Sequence, residues 1–158
     1  MLPFLIVYFP NCVNNKELED RILLRELVDK VSILGDKKDF TKQVEFFTED
    51  AVSETVSQGK TILKLQGRKN MAVAFEEFLS KIDHVYHFNG QQSIIIEGDT
   101  ARGTCYCLVT LIGNDNGKKM KTSIGAIYED NYSSVHNKWL IAKRIGTFNW
   151  QEKSHFVQ

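Results

Sequence analysis

A chain of 158 residues is long enough to form one domain with a single buried core. Its 20 basic and 20 acidic side chains cancel to a net charge of zero, and no run of Lys and Arg is interleaved with its aromatic residues. Because nucleic-acid binding needs a basic surface, these features predict no nucleic-acid partner.

The chain opens on an apolar segment, residues 1–13, whose hydrophobic run from Leu2 to Phe9 is too short to cross a bilayer. A secretory signal would carry positive charge before this run, but the first lysine is Lys16. We therefore expect no membrane span and a cytoplasmic protein. The segment is interpreted as an arm that lies over the domain or over a partner subunit.

After this arm, we expect a single domain over residues 14–152 and a short C-terminal tail over 153–158. Apolar residues recur at helical spacing over 17–35, 39–48 and 67–82, which predicts three helices, each with one apolar stripe. Alternating residues between turn signals predict strands over 51–57, 61–65, 93–97, 100–112, 119–132 and 138–148. Helices followed by a long antiparallel meander indicate an α+β fold, in which the helices cover one face of a curved sheet and leave an interior.

Two of the four histidines, His84 and His87, stand three residues apart near the start of the meander. If that segment is extended, their side chains point to opposite faces of the sheet and do not share a metal ion. Cys105 and Cys107 point to one face, which favours reduced thiols that pack as small hydrophobic groups. The alternative, a Cys-x-Cys metal site completed by His87, lacks a fourth ligand. We expect no metal and no organic cofactor.

Six phrases between Glu17 and Trp150 resemble a known family when they are taken in order. They are LVDKVSILGDKKDF, VEFFTEDAV, GRKNMAVAFEEF, a histidine before Ile-x-x-Glu-Gly-Asp-Thr-Ala, GAIYED and KWLIAKR. In these phrases the chain is similar to the SnoaL-like and scytalone-dehydratase-like members of the nuclear transport factor 2-like superfamily. The resemblance implies a cone-shaped, strongly curved mixed sheet, mainly antiparallel, that encloses a cavity capped by three N-terminal helices. It leaves the activity open, since dehydratases, isomerases, cyclases, ligand carriers and binding domains share this fold.

The resemblance also implies where a site would lie. Relatives with dehydratase or isomerase activity resemble this chain at Asp36, in the turn after the first helix, and at His87. Val31 stands where catalytic relatives often have a tyrosine. Val109 and Phe148 stand where the bile-acid dehydratase branch has an aspartate and an arginine. These departures imply a more apolar pocket, in whose wall we expect Val31, Phe47, Phe78, Val109 and Phe148.

The chemistry of the pair leads to the first functional hypothesis. An imidazole with a pKa of about 6.5 exchanges a proton near neutrality, and a carboxylate bonded to one ring nitrogen fixes the tautomer of the other. His87 would act as base and acid, with Asp36 as its orienting carboxylate, on a small and largely apolar carbonyl or hydroxyl ring compound. The reaction would be of isomerase, dehydratase or cyclase type. Tyr106, Thr104, Asn89 or a backbone amide could stabilise the oxyanion.

Other interpretations remain beside this one. His87 can be a half-buried strand residue and Asp36 a turn residue, in a pocket that binds a small apolar molecule without catalysis or in a dimeric protein-interaction module. Both faces of the later strands have apolar members, which predicts a homodimer. Arg144, on the last strand, is interpreted as an exterior partner of a carboxylate.

Overall fold

The computed structural model describes residues 15–157, so the predicted arm over residues 1–13 lies outside the described residues. The described chain forms α1 (Asn15–Asp36), α2 (Phe40–Gln43), one 3-10 turn (Val44–Phe46), β1 (Phe47–Ser57), β2 (Lys60–Gln66), α3 (Arg68–Leu79), β3 (Ile82–Glu97), β4 (Thr100–Asp115), β5 (Lys118–Val135) and β6 (Lys138–His155). No helix within this range is long and apolar enough to cross a membrane.

The six strands form one sheet in the order β2-β1-β6-β5-β4-β3. Neighbouring strands are antiparallel except β1 and β6, which run parallel. The predicted α+β class, with a curved and mainly antiparallel mixed sheet under N-terminal helices, is therefore confirmed.

Several element boundaries differ from the sequence prediction. The second helix is shorter than expected, and Phe47 is the first residue of β1. Strand β3 begins at Ile82, earlier than the predicted start at residue 93, and it continues through the polar stretch after His87. A register shift between Asn89 and Gln92 absorbs that stretch as an irregularity within the strand. Strand β6 continues to His155, into the segment that was expected to be a tail.

The core forms where helix α1 crosses the inner face of the sheet. Leu24, Leu27, Val28 and Val31 form the buried stripe of α1, as their helical spacing predicts. They pack on a cluster that includes Phe47, Ala51, Met71, Tyr132, Trp139 and Ile141. A second buried cluster follows the middle of the sheet and consists of Val85, Cys107, Val109, Leu111, Ile124 and Ala126. Part of this second cluster is the wall of a cavity.

Candidate active site

A cavity of about 570 Å³ lies between the inner face of the sheet and the helices. All five predicted pocket residues line it, namely Val31, Phe47, Phe78, Val109 and Phe148. Phe78 is 64% exposed, and Ile62, which also lines the cavity, is similarly exposed. The opening therefore lies beside α3 and β2. The phenylalanines line the space without filling it, so that a small ring compound has room.

The structure brings Asp36 into contact with His87, which lies in the wall of this cavity, although 51 positions separate the two residues in the chain. The Asp36 carboxylate accepts the backbone N–H of His87, with its two oxygens at 3.1 and 3.2 Å. Its Oδ1 also lies 2.6 Å from Nδ1 of the His87 ring. The side chains are 15% and 23% exposed for His87 and Asp36 respectively. One carboxylate thus holds both the backbone and the ring of this histidine.

This contact fixes the proton arrangement of the ring. An ionised carboxylate only accepts hydrogen bonds, so Nδ1 carries the proton that faces Asp36. In the neutral imidazole the lone pair is then on Nε2. Because His87 lines the cavity, its unbonded ring nitrogen is available to a molecule bound there.

The end of helix α1 is shaped to make this contact. An acidic residue in the last turn of a helix is unfavourable beside the helix dipole, and α1 has no basic residue in its last turn. The hydrogen bonds from His87 offset that cost. Lys38, with a φ of 57°, turns the chain in the left-handed region two residues after the end of the helix. Asp36 therefore sits where α1 ends over the cavity.

Gly35 allows two side chains to approach the same helix end. A Cβ at this position would lie 2.8 Å from Nε2 of Gln43 and 3.8 Å from Cε1 of His87. Gln43 donates from Nε2 to the carbonyl oxygen of Val31 at 2.9 Å, and it also lines the cavity. Within residues 15–157 its buried Oε1 has no hydrogen-bond partner. Sequence reasoning missed this buried amide beside the imidazole.

The other candidate ligands for a metal do not converge on His87. His84 is exposed on the face of β3 opposite His87, as the strand geometry predicted. Cys105 and Cys107 are free, buried thiols on the inner face of β4. Burial raises the pKa of the Cys107 thiol to about 12, so it stays protonated and packs as a small apolar group. Across residues 15–157, no three His, Cys, Asp or Glu side chains are grouped to hold a metal ion.

The sequence interpretation of Arg144 is correct about its partner and wrong about its position. Its partner is a carboxylate, Asp130, reached at 2.8 Å from Nε and 2.7 Å from Nη2. The arginine is, however, buried and lines the cavity instead of facing the exterior. In the pairing of β5 with β6, Asn131 pairs with Lys143 and Tyr132 with Ile141, so Ala142 is an extra residue. Such a bulge reverses the alternation of the strand and turns Arg144 inward.

The three side chains named from sequence as oxyanion donors, Tyr106, Thr104 and Asn89, do not line the cavity. Tyr106 is exposed on the outer face of the sheet, and Thr104 follows the same alternation along β4. Asn89 donates to Asp29 at 2.9 Å and to Ser32 at 3.0 Å, so its amide fastens β3 to α1. The cavity wall contains Tyr128 instead, which sequence reasoning did not select.

The structure is an α+β cone in which an Asp–His contact lies beside a largely apolar cavity, and the comparisons with known proteins agree with this fold. The model of the SnoaL-like domain matches residues 16–145, so the chain belongs to the SnoaL-like domain family. No curated protein matches it by sequence.

Several solved structures share this fold. A scytalone dehydratase candidate from Novosphingobium aromaticivorans is 14% identical, with a TM-score of 0.78 over 92% of this chain and 94% of that one. The hexachlorocyclohexane dehydrochlorinase LinA-type3 from Novosphingobium barchaimii is 19% identical, with a TM-score of 0.76 over 92% and 99%. An NTF2-like protein from Novosphingobium aromaticivorans is 23% identical, with a TM-score of 0.69 over 89% and 92%. At these identities the likeness establishes the fold.

Proposed function

We propose that this protein catalyses cofactor-independent acid/base chemistry on a small, largely apolar carbonyl or hydroxyl ring compound. The reaction is of isomerase, dehydratase or cyclase type. The observation that carries the proposal is the contact of 2.6 Å between Asp36 and Nδ1 of His87 in the wall of an apolar cavity. The names of the structural neighbours, a dehydratase candidate and a dehydrochlorinase, support elimination from a ring compound as one outcome.

His87 is the base and Asp36 the residue that orients it. Nε2 takes a proton from a carbon next to the carbonyl, and the C–H electron pair becomes the new C=C bond while the carbonyl electron pair moves to oxygen. The imidazolium that forms is stabilised by the carboxylate at Nδ1. In a substrate with a C=C bond next to the deprotonated carbon, the proton returns to the far carbon of that bond, the double bond shifts and an isomer forms. In a substrate with a hydroxyl on the neighbouring carbon, loss of that hydroxyl, protonated as it leaves, gives a dehydrated product.

Proton exchange at carbon tests this proposal before a natural substrate is known. α-Tetralone, a two-ring ketone, would be incubated with the protein in heavy water, and deuterium at the carbon next to its carbonyl followed by NMR. We expect exchange above the buffer rate and a loss of roughly a hundredfold or more in His87→Ala, because a general base is removed. The control is His84→Ala, which lies on the opposite face and should exchange at the wild-type rate.

A pocket that binds such a ligand without turning it over is the second candidate. The apolar lining and the size of the cavity favour it as much as they favour catalysis. The two functions separate in the same experiment, since a carrier would bind α-tetralone with equal affinity in wild type and His87→Ala and would accelerate exchange in neither.

We also propose a homodimer that forms through the outer face of the sheet. Phe88, Leu108, Gly125 and Trp150 pair in register across β3, β4, β5 and β6. The three side chains are 62%, 42% and 51% exposed, respectively. A Cβ at Gly125 would overlap the indole of Trp150, so the glycine lets this ring lie flat on the sheet. Such an apolar row is more than a solvated face requires.

Sedimentation velocity at micromolar concentration tests the dimer. We expect a dimer for the wild type and a monomer for Leu108→Glu, because two-fold symmetry would bring two buried charges together. Val73→Glu, on the exposed surface of α3, is the control and should remain dimeric. A monomeric wild type would contradict the proposal.

A further inference from the structure

The strongest unassigned feature of the cavity is the side chain of Tyr128. It lies on β5, where it pairs with Cys105 on β4 and Gly146 on β6, and it lines the cavity. The missing side chain at Gly146 makes room for the ring, since a Cβ there would lie 3.1 Å from Cε1 of Tyr128. The guanidinium of Arg144 stacks on the ring at 4.6 Å from its centroid. The phenol is therefore held in one orientation.

The hydroxyl of Tyr128 is a donor without a protein partner among residues 15–157. The comparison with Tyr132, four residues later on the same strand, is direct, because the Tyr132 hydroxyl donates to Asp130 at 3.0 Å. Burial raises the pKa of the Tyr128 phenol, so the group keeps its proton. A hydroxyl that keeps its proton and faces the cavity without a protein partner can donate its hydrogen bond to a molecule bound there.

Tyr128 and His87 line the same cavity from the two strands that flank β4. On β4, His87 pairs with Val109 and Tyr128 pairs with Cys105, and both partners are buried on the inner face. Arg144 is engaged through Nε and Nη2 with Asp130, so it forms a neutral pair. Its guanidinium lies over the ring, and this cation–π contact helps to hold the phenol in place.

We infer that Tyr128 is the residue that donates a hydrogen bond to the oxygen of the ligand, and that it stabilises the oxyanion formed when His87 removes a proton. This inference rests on the proposed function and narrows its substrate class. The ligand carries a carbonyl group bonded directly to the carbon that His87 deprotonates, so its oxygen lies two bonds from that carbon.

The test compares Tyr128→Phe with wild type on two probes, α-tetralone and tetralin, the hydrocarbon that lacks the carbonyl. Loss of one hydrogen bond should weaken α-tetralone binding roughly three- to tenfold and leave tetralin binding unchanged. Loss of an oxyanion donor should slow deuterium exchange roughly a hundredfold. An isotope-labelled carbonyl carbon in bound α-tetralone should resonate at higher field in the variant, because it loses a donor. Tyr106→Phe, on the outer face, is the matched control and should behave as wild type in all three measurements.

Outcomes separate this inference from the proposal on which it rests. Exchange that depends on His87 but is equal in wild type and Tyr128→Phe would overturn the role of Tyr128 and leave the proposed function standing. Equal loss of affinity for α-tetralone and tetralin would also overturn it, since the ring would then act by packing. Absence of any exchange dependent on His87 in the wild type would overturn both. Because phenylalanine keeps the ring and removes no protein hydrogen bond, the variant should fold, which its melting temperature will show.

Discussion

Helix α1 is fastened to the sheet near both ends by the same kind of contact, an aspartate that accepts a hydrogen bond from a ring nitrogen. Near the first end, Asp20 accepts from Nε1 of Trp139 at 2.8 Å. At the last residue, Asp36 lies 2.6 Å from Nδ1 of His87. Both contacts join the helix to a residue on the inner face of the sheet, and both carboxylates are at least three-quarters buried.

The two rings differ in what they leave available. An indole has one nitrogen, which only donates, so the contact with Asp20 uses its whole polar capacity. An imidazole has a second nitrogen that takes up or releases a proton near neutral pH. Trp139 lies in the closed core, whereas His87 lines the cavity. The contact between Asp20 and Trp139 therefore only fastens the helix to the sheet. The contact between Asp36 and His87 also leaves a second ring nitrogen that can exchange a proton.

The largest effect that tests this comparison is expected from Asp36→Asn. The amide has one oxygen to accept the two N–H groups of His87, so the ring is held less firmly in the tautomer with its lone pair on Nε2. Deuterium exchange into α-tetralone should fall by about a hundredfold, at the lower end of what a general base contributes. Heteronuclear NMR of the imidazole nitrogens will report the tautomer. An unchanged rate together with an unchanged tautomer would show that the carboxylate does not orient the base.

Trp139→Phe is expected to lower the stability of the fold and to leave deuterium exchange unchanged. It removes the indole N–H and leaves the buried Asp20 carboxylate without its closest uncharged donor. The free energy of unfolding should fall by about 1–3 kcal/mol, measured by urea denaturation. Exchange per folded molecule should stay at the wild-type value, because the cavity does not include this residue. A drop in exchange as large as that of Asp36→Asn would mean that the two ends of α1 are not independent.

Much of the fold followed from local patterns in the sequence. The apolar stripe of α1 and the turn residues Gly98-Asp99 and His136-Asn137 mark elements whose order the structure confirms. The positions of Asp36 and His87 came from the resemblance to relatives. No local rule predicts a contact between residues 51 positions apart.

What escaped prediction depends on strand irregularities. Trp139 and Ile141 face inward, and simple alternation would then place Arg144 outside. The extra residue Ala142 reverses that assignment, and it leaves no mark in the sequence, because alanine is tolerated on either face. The direct pairing of Asp130 with Arg144 follows from the same register. Tyr128 follows the regular alternation of β5 with Ile124 and Ala126, but the room for its ring depends on Gly146, a neighbour on β6 that the register places beside it.

The smallest expected effect is the pH dependence of the stability that the contact between Asp20 and Trp139 contributes. The Trp139 indole, and then Lys16, hold the pKa of the Asp20 carboxyl below its ordinary value, although burial acts in the opposite direction. A carboxyl with a lower pKa in the folded than in the unfolded state stabilises the fold above its unfolded pKa of about 3.9, and this contribution is lost as pH falls through the folded pKa. The free energy of unfolding of Asp20→Asn should therefore lie below that of wild type at about pH 6 and approach it toward about pH 2.5. In a Trp139→Phe background, where the main cause is absent, the pH-dependent part of the difference should be smaller. A difference that is constant with pH would show that Asp20 stabilises the fold by packing alone. The charge of its carboxylate would then not contribute to the contact with Trp139, and the comparison with Asp36 would hold for geometry only.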